Sequence, residues 1–259
     1  MVIVVASAVI TGASSGLGKE YFNLAANNFE DIDEIWIISR SKEKLDALAQ
    51  SIDNEKKRVI AVYLDLSKEE SYEKLGKIFE MHKPDIRLLI NNAGAGNLKS
   101  FENLTEKEAA DTVKLNALGL TMMTKVCLPY MGEDSFILNV SSIGSFAPTA
   151  NMSVYCATKA YVSSFSMAIA EELEEKGITV TAVCPGPMET NFFNAGNIKE
   201  GSSKKFFSLP RDNPSKIAEK SMKAMMKGKR MYIGKFYYKL YRFLSKILPN
   251  DLAISLSKL

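Results

Sequence analysis

The stretch Thr11-Gly12-Ala13-Ser14-Ser15-Gly16-Leu17-Gly18 decides the fold. It follows an apolar, β-branched run at 2–10 and leads into a segment of helical period at 16–28. The three glycines permit a tight turn, close backbone approach to a phosphate, and packing of the new helix on the strand. A helix opening near Gly16 points its free N–H groups and positive dipole end into that turn, which suits a dinucleotide pyrophosphate. The spacing departs from the commoner G-x-G-x-x-G fingerprint, and a Gly/Ser turn alone is also compatible with a purely structural role.

Outward from this loop, short β-branched runs alternate with longer helical ones. Strand-like runs fall at 2–10, 34–39, 58–63, 86–91, 135–140, 178–183 and 231–233; helix-like stretches at 16–28, 42–52, 68–81, 105–131, 153–176 and 214–227. Strands separated by helices make right-handed βαβ units, hence a doubly wound α/β fold: one parallel sheet of about seven strands with helices on both faces. No repeat or linker interrupts it. A single domain over 1–234 is expected, followed by a basic extension at 235–259.

Composition narrows the function. A net charge of +3 over 259 residues gives no case for nucleic acid. From Lys216 onward, however, eleven Lys/Arg face only Glu219 and Asp251. Cys127, Cys156 and Cys184 lack metal-ligand spacing, and an odd count without CxxC argues for a reducing compartment, so a cytoplasmic placement is expected. The single histidine, His82, reads as a solvated loop residue, which leaves no basis for a metal site or a histidine-dependent triad. The apolar start has no basic n-region and runs straight into the glycine loop, so no signal peptide is expected. It is also far shorter than the ~20 residues a spanning helix requires.

The second strand ends at Ser39-Arg40, where an acid normally binds the ribose hydroxyl of NAD and an arginine accommodates the 2′-phosphate of NADP. Arg40 therefore favours NADP(H), although a solvated loop arginine is the plain alternative. Asp65-Leu66 closes the third strand within reach of an adenine. Asn91-Asn92-Ala93-Gly94 closes the fourth with small residues, beyond what a simple turn requires.

Far downstream stands Tyr155-Cys156-Ala157-Thr158-Lys159. Four residues apart on a helix, Tyr155 and Lys159 share one face, and a nearby ammonium is expected to lower the phenol pKa from its usual value near 10. Ser142, at the end of the fifth strand, is placed to donate to a substrate oxygen. Asn116 is placed to hold a water beside Lys159 and relay protons. Each motif alone is weak, since chance Tyr-x-x-x-Lys pairs and capped Ser-Ser turns are common. Their concurrence in one order points to hydride transfer on a carbonyl or alcohol.

These motifs make the chain resemble the short-chain dehydrogenase/reductase family over roughly residues 10–190. The resemblance rests on Thr11–Gly18, on Asn91–Gly94, on a tetrad at Asn116, Ser142, Tyr155 and Lys159, and on Pro185-Gly186-x-x-x-Thr190. Ser142 rather than Ser141 matches, because the family's serine stands thirteen residues before its tyrosine. The resemblance implies strand order 3-2-1-4-5-6-7, Tyr155 as proton donor in reduction, Lys159 on the nicotinamide ribose, and a cofactor set of Gly12, Ser14, Ser15, Gly16, Leu17, Gly18, Ser39, Arg40, Asp65, Leu66, Asn92, Ala93, Gly94, Tyr155, Lys159, Pro185, Gly186 and Thr190. One departure matters. Many NADP-preferring members carry a basic residue where this chain has Ser15, so the preference rests on Arg40. An NAD-preferring dehydrogenase, and a protein that senses NADPH without turnover, remain the competing readings.

The long aperiodic stretch 188–213 holds Phe192, Phe193, Phe206 and Phe207 on the sheet edge where open α/β folds bind ligands. It is expected to form either a lid or a permanently docked loop. With Met152, Ser142 and Tyr155, residues Met188, Phe192 and Phe193 outline a pocket for an apolar carbonyl or alcohol. Finally, Phe236, Leu240, Phe243, Leu244, Ile247 and Leu248 recur at helical spacing opposite Lys239, Arg242 and Lys246. That face is expected to cover the substrate cleft or a partner subunit of a homo-oligomer, or to lie on anionic lipid as a peripheral membrane contact.

Overall fold

The computed structural model describes residues 5–52, 57–188, 210–249, 251, 252 and 254. Its core is one parallel sheet, ordered β3-β2-β1-β4-β5-β6-β7. The strands are β1 (Ala6–Thr11), β2 (Glu34–Ser39), β3 (Arg58–Tyr63), β4 (Asp85–Asn91), β5 (Phe136–Val140), β6 (Thr179–Cys184) and β7 (Met231–Ile233). Between them run α1 (Gly16–Asn28), α2 (Lys42–Ala49), α3 (Glu70–His82), α4 (Glu106–Val113), α5 (Leu120–Cys127), α6 (Ser153–Glu172) and α7 (Pro214–Met225), and α8 (Phe236–Ile247) follows β7. The order reverses direction between β1 and β4, so the crevice at the carboxyl ends of those two strands is the natural ligand site.

The strands read as nearly continuous apolar runs because both sheet faces are covered. The pleat then divides each run between two cores. Ile10, Ile35, Ile37, Leu88, Ile90 and Leu138 pack with Leu17, Tyr21 and Phe22 of α1 and with Ile217, Met222 and Met225 of α7. Val9, Trp36, Ile38, Leu89 and Ile137 pack on the other side with Leu75 and Phe79 of α3, Met123 of α5 and Ile169 of α6.

The stretch expected to be one helix over 105–131 is in fact four pieces, the last a 3₁₀ turn at Leu128–Tyr130. Thr105 and Glu108 form a reciprocal capping box at the start of α4. The backbone then widens into a π-turn at Lys114–Gly119 before α5 resumes. Hydrophobic periodicity cannot register that one extra residue per turn. His82 also departs from expectation: it ends α3, and its ring stacks edge-on to buried Trp36 at 5.2 Å.

Candidate active site

The glycine loop is held from below by the end of β4. Thr11 Oγ1 donates to Ile90 O (3.3 Å) and accepts from the Asn92 and Ala93 amides, each at 3.0 Å. The Asn92 side-chain amide donates to Thr11 O (3.1 Å) and Gly12 O (3.2 Å). Gly18 has no room for a side chain, since a Cβ there would stand 2.2 Å from Gly12 O and 2.4 Å from Asn92 Nδ2. Asn92 thus clamps the loop from the protein side.

At the loop's open end α1 begins with no side-chain cap bond and no acid in its first turn. Its leading N–H groups and positive dipole end are left for an anion, with no carboxylate competing. Ser14 Oγ lies 3.1 Å from Ser39 Oγ, which in turn accepts from Ser41 N at 3.4 Å. Arg40 is largely exposed and stands 4.0 Å from Asp65. Asp65 accepts from the amide (3.1 Å) and hydroxyl (2.7 Å) of Ser67. Partial burial works against its charge, but those bonds, with Arg40, hold the carboxyl below its ordinary range. Residues 14, 39–40 and 65 therefore meet where the adenosine end of a dinucleotide would lie, and the donor set fits such a group. The side chains of Leu17 and Leu66 pack in the two cores, and Leu66 O accepts from the Tyr72 hydroxyl.

The catalytic half is built from β5, the turn after it, and α6. Ser141 and Ser142 are separated by geometry. Ser141 is buried, with its hydroxyl donating to Lys159 O (2.8 Å) and lying 2.8 Å from Ser163 Oγ. Ser142 is half-buried and accepts from Gly144 N at 3.0 Å, which orients its hydroxyl. It also hydrogen-bonds the Tyr155 phenol.

Tyr155 and Lys159 both lie on the first turns of α6, and Lys159 Nζ is 5.8 Å from the centre of the Tyr155 ring. The expectation of a phenol pulled downward is not met. Burial, joined by Cys156 and Cys184, raises its pKa and outweighs the Ser142 bond. Burial is also the main influence on Lys159, pushing the ammonium down to about 8 against a small opposing effect of Cys184. Lys159 Nζ donates to Val140 O at 2.8 Å. At neutral pH the site thus holds a protonated phenol, as any ordinary tyrosine would be, beside a weakened ammonium.

Asn116 sits in the π-turn, and its amide is occupied by protein. Its Oδ1 accepts from Ala95 N (2.8 Å), and its Nδ2 donates to Ala95 O (2.8 Å) and Thr158 Oγ1 (3.0 Å). The Asn116 side chain therefore pins the loop after β4 to α6. A Cβ on Gly94 would stand 3.2 Å from Asn116 Oδ1 and 3.4 Å from Lys159 Nζ, so Ala93-Gly94 passes directly beside the centre. Beneath it, Asn91 Nδ2 donates to Thr124 Oγ1 and Asn139 Oδ1, and Asn139 Nδ2 donates to Ser166 Oγ. These bonds lock β4, β5, α5 and α6 together.

On the substrate side, Met152 is buried just before α6, and Met188 packs on the α1 side of the sheet. Thr190, Phe192, Phe193, Phe206 and Phe207 lie outside the described residues. Sequence reasoning missed what closes this side. Pro185 O accepts from Ile143 N (3.0 Å), and Gly186 N donates to the buried carboxylate of Asp212 (2.8 Å). Lys235 pairs with Asp212 at 3.2 Å and donates to Pro210 O and Arg211 O. Tyr238 of α8 lies so close to Gly186 that a Cβ there would be 2.5 Å from its ring, and its hydroxyl donates to Pro210 O (3.1 Å). Tyr241 meets Phe146 at 5.9 Å. On α8 Tyr238 turns inward, while Phe236, Tyr237, Leu240, Phe243 and Ile247 are exposed. The only sequence cue was the position of Tyr238 and Tyr241 off the apolar stripe.

A doubly wound sheet with a glycine loop at its switch point and a Ser–Tyr–Lys centre at the ends of β5 and α6 defines a class of dinucleotide-binding proteins. The chain belongs to the short-chain dehydrogenase family, whose profile matches residues 6–201. Among curated relatives, a very-long-chain 3-oxoacyl-CoA reductase of Pyricularia oryzae is 34% identical over 185 residues, covering 68% of this chain and 54% of that protein. Hydroxysteroid dehydrogenase-like protein 1 of Gallus gallus is 34% identical over 209 residues, covering 78% and 61%. This chain thus spans about half to three-fifths of the length of these relatives. Among solved structures, a short-chain dehydrogenase from Sphingobium yanoikuyae in complex with NADPH superposes with a TM-score of 0.77 at 24% identity, covering 95% and 97% of the two chains. That likeness concerns the fold.

Proposed function

We propose that this protein is an NADP(H)-dependent oxidoreductase that interconverts an apolar ketone and its secondary alcohol, with a 3-oxoacyl thioester as the leading substrate class. The observation that carries the chemistry is the set Ser142, Tyr155 and Lys159. Its serine hydroxyl is oriented by Gly144 N and hydrogen-bonds the Tyr155 phenol, and the Lys159 ammonium lies 5.8 Å from the centre of that ring. The substrate class draws support from the named activity of the fungal relative and from the apolar residues flanking the site. Arg40, at the end of β2, supports the choice of NADP(H) over NAD(H).

When bound, the reduced nicotinamide supplies a hydride. The remaining work belongs to the chain. Ser142 donates a hydrogen bond to the carbonyl oxygen and so favours the charge that develops there. Tyr155 delivers its proton to the same oxygen, completing the alcohol. Lys159, whose Nζ bonds Val140 O and lies 5.8 Å from the centre of the Tyr155 ring, stabilises the phenolate left behind, and Asn116 keeps the Ala95 backbone fixed. The α1 N-terminus, Ser14, Ser39 and Arg40 would hold the phosphates, with Asp65 at the adenine.

The test is oxidation of NADPH and of NADH by the purified protein with long-chain 3-oxoacyl-CoA, a steroid ketone and an aromatic ketone. Turnover is expected with NADPH and greatest with the acyl thioester. Tight NADPH binding with no turnover of any ketone would replace this reading with that of a sensor.

A further inference from the structure

We infer that the outward face of α8 docks on an anionic lipid surface. Phe236, Phe243 and Ile247 are exposed by 79%, 60% and 60%, and Leu240 and Tyr237 are exposed beside them. These residues follow the i, i+4, i+7, i+11 rhythm of a continuous stripe along one side of the helix. Beyond Pro249 exposed Leu252 extends the apolar character. So many large apolar side chains on one short helix are more than the single exposures normal for a folded protein surface.

The stripe is not free to turn inward. The opposite side of the helix is anchored by buried Tyr238 on Gly186 and Pro210 O, by Tyr241 on Phe146, and at its start by Lys235 on Asp212. Rotating the phenylalanines into the protein would break all of these contacts.

Charge selects the occupant. Exposed Lys239 and Lys246 border the stripe, with Arg242 next to them, and α8 contains no acid. Across residues 216–259 eleven basic side chains face two acidic ones. An apolar, aromatic strip edged by lysines matches the acyl boundary and anionic headgroups of a bilayer. A second copy of this chain fits poorly. A two-fold contact through α8 would bring the Lys239, Arg242 and Lys246 of both copies to one interface, with no carboxylate on the helix to meet them. Among the described residues no helix is long and apolar enough to cross a membrane, so the contact is peripheral.

Flotation of the full-length protein with phosphatidylcholine vesicles, with and without phosphatidylserine, tests this directly. Wild type is expected to float with the phosphatidylserine vesicles, and to float less as salt rises and screening shortens. Phe243→Glu/Ile247→Glu should lower the partition coefficient at least about a hundredfold, since each large side chain lost from the apolar layer is worth roughly tenfold or more. Lys239→Glu/Lys246→Glu should lower it by about tenfold or more on anionic vesicles and little on neutral ones. Both variants should keep the wild-type melting temperature and NADPH binding, because none of these side chains packs on the core. Failure of wild type to float, or equal flotation of all three proteins, would overturn the inference. So would light scattering that shows a wild-type dimer converted to monomer by Phe243→Glu/Ile247→Glu without any lipid dependence, which would assign the face to a second copy.

Discussion

Lys159→Met removes an ammonium that the fold holds almost wholly out of water. Displacement of its pKa from 10.5 to about 8 corresponds to roughly 3 kcal/mol of folding free energy lost at neutral pH. Methionine has similar length and no charge, so that cost disappears. Against the gain stands Val140 O, which loses its 2.8 Å donor, at about 1 kcal/mol. The net expectation is about 2 kcal/mol of added stability, or roughly 4–8 °C in Tm for a chain of this size. The pH dependence has a definite sign. Below about 8 both folded and unfolded states carry the proton, and the folded state bears the full cost. Between about 8 and 10.5 the folded protein releases a proton that the unfolded chain keeps, so wild-type stability rises relative to the variant. Calorimetric unfolding of both proteins near pH 7 and again near pH 9.5 should show the gap narrowing, while ketone-dependent NADPH oxidation is lost at both values. A variant that melts lower than wild type, or a gap independent of pH, would refute the reasoning.

Four further substitutions probe other parts of the site. Arg40→Asp should shift the NADPH/NADH ratio of kcat/KM by about a hundredfold or more toward NADH, given about 1.5–3 kcal/mol per charge-assisted bond; an unchanged ratio would assign the preference to Ser14 or Ser39. Ser142→Ala should depress kcat by about a hundredfold at unchanged Tm, whereas Ser141→Ala should lower stability by about 1–2 kcal/mol through its lost bond to Lys159 O; equal effects of the two would remove the distinction. Asp212→Ala strands Gly186 N and leaves Lys235 without its counter-charge, so a loss of about 2–3 kcal/mol is expected in urea unfolding, and an unaltered midpoint would show the pair to be incidental.

The parts of this molecule that were legible in the sequence are those whose chemistry is local. The glycines, Asn92, Ser142, Tyr155 and Lys159 announce themselves by residue type and spacing, and β-branched runs separated by helical ones lead directly to the parallel sheet. What stayed hidden depends on contacts between distant segments. The π-turn holds Asn116, whose amide bonds Ala95 and Thr158, 21 and 42 residues away. The raised pKa of Tyr155 comes from enclosure by the whole site, which spacing to Lys159 cannot express. The α8 helix was seen as amphipathic, but which side faces the protein was set by a close fit of Tyr238 to Gly186, where a larger residue than glycine would collide.

Tyr155→Phe bears most directly on the proposed chemistry, because the ring remains to pack and only the proton donor is removed. Ketone-dependent turnover should fall by a factor of about 10²–10⁴ while the NADPH dissociation constant stays within a few-fold of wild type. Turnover within tenfold of wild type, with NADPH still bound, would contradict the assignment of Tyr155 as the proton donor.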